Sequence, residues 1–253
     1  MAAVVNHSVS PGTAAPGPRR SEWALVLAAA TLLAVVMTWP VAGRLQTAAR
    51  VDSTDGMYAM WNVAWVARAV TSHPLGVFDA NIFSPHTGTL AYSESNIGAG
   101  VIAAPAWLLT RDVYATYNVA ILASFILSFL CTYALARRLT GDRIAAAAAA
   151  MAFAYAPYLY ARFPHIQLLM TFGMPLSLVA LHRLVDRPSV ANGVWLGAAL
   201  AVAALSSAYY GILIGLAVGV GVVLYGIWLG LWRVRAYWIA VVVALVTLLL
   251  IMA

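Results

Sequence analysis

Of the chain's 253 residues, 64% are hydrophobic and only 9% are charged, against roughly 45–50% and about 25% in soluble domains; a soluble globule is excluded. Lysine is absent, so all 14 basic side chains are arginines, and they give a net charge of +6. They sit as pairs or short clusters at the ends of apolar blocks and nowhere form the stripe that tracks phosphates, which excludes a nucleic-acid-binding surface.

Residues 1–21 are rich in Ala, Pro, Gly and Ser and end near Arg19-Arg20, the composition of a disordered cytoplasmic tail. The apolar block at 22–42 follows directly. It is long for a signal-peptide core and no A-x-A cleavage site follows it, so it is expected to be a retained signal-anchor helix. Three short connections carry Arg137, Arg138 and Arg143, then Arg183 and Arg187, then Arg233 and Arg235, and the positive-inside rule places all three in the cytoplasm. Crossing pairs then occupy 144–184, with an outer turn at 157–164, and 191–232, with an outer turn at 206–210; 236–253 heads outward again. Working backward, 117–136 runs inward, so 43–116 must lie on the outer face. Its one apolar stretch, at 97–110, covers about 21 Å and carries Pro105, too short to cross about 30 Å of hydrocarbon, and reads as re-entrant or interfacial.

The fold expected is an all-α, polytopic transmembrane bundle with about seven crossings and two or three short helices in the first outer loop. The membrane domain covers 22–253, in the cell inner (plasma) membrane with a cytoplasmic N-terminus. The last apolar block runs to Ala253 without a polar tail, which predicts a C-terminal truncation. Cys131, the only cysteine, has no disulfide partner in the chain and reads as a packing residue.

Five of the eight acidic residues, Asp52, Asp55, Asp79, Glu94 and Asp112, fall in the first outer loop. Asp55 precedes a segment in which Met57, Trp61 and Trp65 share one helical face, the pattern of an amphipathic helix along the membrane surface. A carboxylate there reads equally as a helix cap. Asp79, His86, Tyr92 and Glu94 lie in a segment rich in Asn, Pro, Gly and Ser, an ordered turn that either walls an outer pocket or is a solvated loop with aromatic anchors. Arg162, His165 and Gln167 cluster at the outer end of the third and fourth crossings. Arg162 opposes the positive-inside trend, and either snorkels or holds a phosphate. His165 and Gln167 are poorly spaced for one helical metal face and have no adjacent carboxylate partner; no cofactor is assigned, and a divalent cation stays open.

The strings Asp55 to Trp61, Phe78-Asp79-Ala80-Asn81-Ile82-Phe83 with Pro85-His86, Thr89-Leu90-Ala91-Tyr92-Ser93-Glu94, Ala136-Arg137-Arg138-Leu139-Thr140-Gly141 and His165-Ile166-Gln167 resemble bacterial polytopic membrane glycosyltransferases of the GT-C superfamily. The resemblance covers most of 51–187. It implies a polyprenyl-phosphate-linked sugar as donor, an acceptor of unknown identity on the non-cytoplasmic face, and an essential aspartate in the first outer loop, which Asp55 matches. It also implies inverting transfer, with Asp55 as general base. Arg162 is then a candidate for the departing phosphate, and Trp61, Trp65, Tyr92 and Tyr158 are candidates for the sugar or prenyl chain, or are interface anchors. Such relatives usually have more helices, so the pocket expected here is incomplete. The competing readings are a transporter or flippase for a lipid-linked or polar substrate, disfavoured by the scarcity of charge in the helices after 117, and a non-catalytic membrane scaffold.

Overall fold

The structure, a computed structural model, describes residues 19–51 and 54–253; the predicted tail, apart from its last residues, and Asp52 fall outside them. The chain is an all-α helical bundle, with no strand among the described residues. Four helices are long and apolar enough to cross a membrane: α1 (Arg20–Met37), α4 (Val113–Thr140), α10 (Ala208–Trp228) and α11 (Arg235–Met252). Helix α2 (Thr54–Ser72) has the length, but its Asp55, Asn62 and Arg68 leave it too polar. Helix α3 (Ile97–Thr110) forms over the stretch read as re-entrant or interfacial. The pair expected at 144–184 is shorter than two full spans. Helix α5 (Arg143–Ala154) and helix α8 (Gly173–Asp186) are 12 and 14 residues long, about 18 and 21 Å. Between them lie single turns, α6 (Pro157–Tyr160) and α7 (Ile166–Leu169). Helix α9 (Val190–Ser206) completes the bundle, and α10 starts after a break at Ser207, where an outer turn is expected.

Two cores hold the helices together. The first surrounds α4, whose Phe125 stacks on Tyr155 at 5.5 Å and meets Tyr160 and Phe163 at about 6 Å. Small residues let neighbours approach it: Ala146, Ala150 and Ala154 repeat every fourth position along α5 and are fully buried. The second surrounds α9, which sits among α8, α10 and α11. Gly193 and Gly197, spaced G-x-x-x-G, lie directly against the backbone carbonyls of Ala240 and Ala244 on α11, the close approach by which helices associate in lipid. The outward faces of α10 and α11 expose Leu216, Val220, Leu224, Val242, Leu245 and Leu249, an apolar surface that suits hydrocarbon.

Charge separates toward two ends. At one end Glu22, buried at the start of α1, meets Arg137 and Arg143 at 3.0 Å each and accepts a hydrogen bond from Tyr133, while Arg138 pairs with exposed Asp186. Removing one partner of a buried ion pair strands the other's charge, whereas exposed pairs contribute about 0–1 kcal/mol. Glu22→Gln is therefore expected to lower the detergent unfolding midpoint by several degrees, and Asp186→Asn hardly at all; equal midpoints would contradict this ranking. At the opposite end Asn118 of α4 donates to the carbonyls of Leu45 and Ala48, and the Tyr117 hydroxyl donates to Phe163. These bonds bring 45–48 and 155–172 to one place.

Candidate functional site

Asp55 stands in the first turn of α2 with its side chain 74% exposed, and its Oδ2 is 3.5 Å from Nε2 of His165. The imidazole is held just before α7 by its own backbone, which bonds back to Arg162 and forward to Leu168, each at 2.8 Å. Its Nδ1 is buried and has no hydrogen-bond partner. The residue after Asp55 is a glycine for a steric reason. A Cβ at Gly56 would come within 3.1 Å of Val51 and 3.3 Å of Pro164, so a side chain there would push the first turn of α2 away from the segment carrying His165.

Val51 and Pro164 also border a cleft of about 360 Å³ lined by Arg50, Tyr160 and Phe163. The Arg50 guanidinium lies 4.4 Å from the centre of the Phe163 ring. Such stacking leaves its edge N–H groups open, and it has no carboxylate partner among the described residues. The Tyr160 hydroxyl is buried and unpaired. Burial pushes this phenol above its ordinary range, against an opposing pull from Arg50, so it stays a neutral donor. The guanidinium and the phenol line the cleft, and the Asp55–His165 pair stands beside it, next to the lining residues Val51 and Pro164.

The other predicted residues are placed apart. Arg162 is exposed and lies over the Tyr158 ring at 5.3 Å. Tyr158 in turn reaches Tyr210, whose hydroxyl donates to Leu168, so Arg162 flanks the same end. Gln167 is half-buried in α7. Glu94 is half-buried, and its carboxylate accepts the Ala208 N–H at the start of α10, where a helix favours negative charge. Asp79 instead accepts the Gly88 N–H at 2.8 Å and lines a separate cleft with Arg68 and His73 at the far end of α2. His86 and Tyr92 are exposed in the same loop, Tyr92 stacking on Phe83. With 19 residues in α2, or about 28 Å, this group stands most of a helix away from Asp55. Asp112 caps α4 by accepting the Ala115 N–H.

Within the stripe of α2, Met57 is exposed while Trp61 and Trp65 are half-buried. Trp61 and Trp65 stack on each other and pack under the loop at 77–90, with the Trp65 indole N–H donating to the Val77 carbonyl. The deeply buried face is Ala59, Asn62, Val63 and Val66, with Asn62 donating to the Glu94 carbonyl. Arg50, Tyr160 and Phe163 are the residues that sequence reasoning passed over. One signal was available: Arg162 is not the lone exception to the arginine pattern, because 43–116 also carries Arg44, Arg50, Arg68 and Arg111.

No family model, curated protein or solved structure matches this chain. Its chemistry rests on the arrangement itself. Among the described residues no three His, Cys, Asp or Glu side chains gather as metal ligands.

Glu94 makes a pH-dependent contribution to this end. Burial raises its pKa above 4.5, partly offset by the Ala208 N–H. A raised folded-state pKa means that the folded protein holds the proton more tightly, so the contribution is full below the usual carboxylate range and is lost as pH rises through the folded value. Glu94→Gln is expected to flatten the unfolding midpoint between about pH 4.5 and neutrality and to be no less stable at neutral pH. A steeper pH dependence in the variant would contradict the assignment.

Proposed function

We propose that the chain is a membrane glycosyltransferase of the GT-C type, which moves a sugar from a polyprenyl-phosphate-linked donor to an acceptor on the non-cytoplasmic face. The observation that carries this reading is the placing of Asp55 against His165 beside the Arg50 cleft, at the end of the bundle opposite Glu22 and its arginines. The charge separation supports an orientation with the arginine-rich end in the cytoplasm and the Asp55 end outside. Helices α1, α4, α10 and α11 are the ones long and apolar enough to cross, and in this orientation the irregular segment 155–172 between α5 and α8 lies on the outer side.

Asp55 takes the proton of the acceptor hydroxyl as that oxygen attacks the anomeric carbon. The bond from that carbon to the phosphate oxygen breaks with its electron pair going to the phosphate, and configuration inverts. Arg50 and the Tyr160 hydroxyl stabilise the phosphate as its charge grows, with Arg162 at the rim. His165 is a positioning residue that holds the Asp55 carboxylate. The exposure of Asp55 suits this role, because an acceptor must reach it from water, and apo geometry at such sites is often long. The test is sugar transfer from a synthetic polyprenyl-phosphate donor by the wild-type chain and by Asp55→Asn.

A further inference from the structure

An apolar cleft of about 290 Å³ opens between α1, α4, α8 and α9, at the arginine-rich end and away from Asp55. Its walls include Trp23, Cys131, Leu176, Arg183, Trp195 and Val202. Along α8 it runs from Leu176 to Arg183 and along α9 from Trp195 to Val202, a length of about 10 Å. At that length its volume is that of a hydrocarbon chain and far below that of a helix, which is about 10–12 Å across with side chains.

The mouth of the cleft carries the charge and the aromatics. Arg137 and Arg143 share the single carboxylate of Glu22, and Arg138 pairs with Asp186. Arg183 is exposed and has no carboxylate partner among the described residues. Trp23, set edge-on to Tyr133 at 5.9 Å, and Trp195, 60% exposed, flank the same opening, and indoles of this kind settle at the level of lipid headgroups. Asn192 donates to the carbonyls of Arg183 and Arg187, which fixes the end of α8.

We propose that this cleft binds an anionic glycerophospholipid of the surrounding bilayer, with one acyl chain between α8 and α9 and the headgroup phosphate on Arg183. The site is separate from the transfer chemistry and does not depend on it. Its occupant follows from the pairing of an apolar, chain-sized slot with the Arg183 guanidinium, which lines it and has no carboxylate partner among the described residues.

The test is native mass spectrometry of the purified full chain in detergent with phosphatidylglycerol or phosphatidylcholine added. The wild type is expected to retain phosphatidylglycerol about fivefold better than phosphatidylcholine, the effect of one arginine near an anionic surface. Arg183→Gln removes the preference, Ala198→Phe fills the cleft and lowers retention of both lipids, and Arg233→Gln changes neither. Arg183 is exposed, so its variant decides the matter if Ala198→Phe fails to fold. Equal retention of the two lipids by the wild type, an unchanged preference in Arg183→Gln, or displacement of lipid by a second copy of the chain would overturn the proposal.

Discussion

Asp55→Asn is expected to lower the turnover of sugar transfer by about 10²- to 10⁴-fold, the range over which a positioned general base acts, with donor affinity and the amount of folded protein unchanged. Asparagine keeps the shape of the side chain and removes its basicity. The fold tolerates the change because Asp55 is 74% exposed and its contact with His165 is long, at 3.5 Å; exposed pairs of this kind contribute about 0–1 kcal/mol. The Arg50 cleft stays intact in the variant, so the loss belongs in kcat and not in KM. Full turnover in Asp55→Asn would sink the assignment of the base.

The largest loss of stability is expected from Gly197→Leu. A Cβ at Gly197 runs into the Ala244 carbonyl and lies 2.7 Å from the Thr247 side chain. The first of these is backbone inside α11 and cannot rotate away, so α9 and α11 must separate. Overpacking a well-filled core costs typically about 1–3 kcal/mol, and separation of the helices also exposes the α9 core around Leu196 and Tyr237. Gly215→Leu is the control, since nothing lies within 4 Å of a Cβ there. Unfolding in detergent should show a much lower midpoint for Gly197→Leu than for Gly215→Leu, and equal midpoints would contradict close packing of α9 on α11.

The helical class was legible because apolar blocks of membrane length cannot be mistaken for much else, and the apolar stretch at 97–110 forms α3. The lengths of α5 and α8 were less legible. An apolar run from 144 to 184 reads as two spans, yet Tyr155-Ala156-Pro157 and Pro164-His165 break it into a long irregular segment with two single turns. On α2 the periodicity is real, but two faces share it. The aromatic face draws the eye, while the small residues Ala59 and Val63 admit a closer neighbour and decide the packing.

The site shows the same limit. Asp55 and His165 were each visible as candidates, but their meeting is a contact across the whole of α2, α3, α4 and α5 that no local pattern announces. Asp79, His86 and Tyr92 lie in the same outer loop as Asp55 along the chain, but α2 carries them to its other end. Arg50 carries no local sign in the sequence that sets it apart from Arg44, Arg68 and Arg111. Its importance depends on Phe163 and Tyr160, more than 100 positions later.

The most direct measurement is turnover by the wild-type chain in proteoliposomes, with a radiolabelled, short-chain polyprenyl-phosphate-linked sugar supplied on one side and a membrane extract as acceptor source. Labelled product and free polyprenyl phosphate are expected when the donor faces the end that bears Asp55 and His165. No turnover from either side, or turnover only from the end that bears Glu22 and its arginines, would contradict the proposed function.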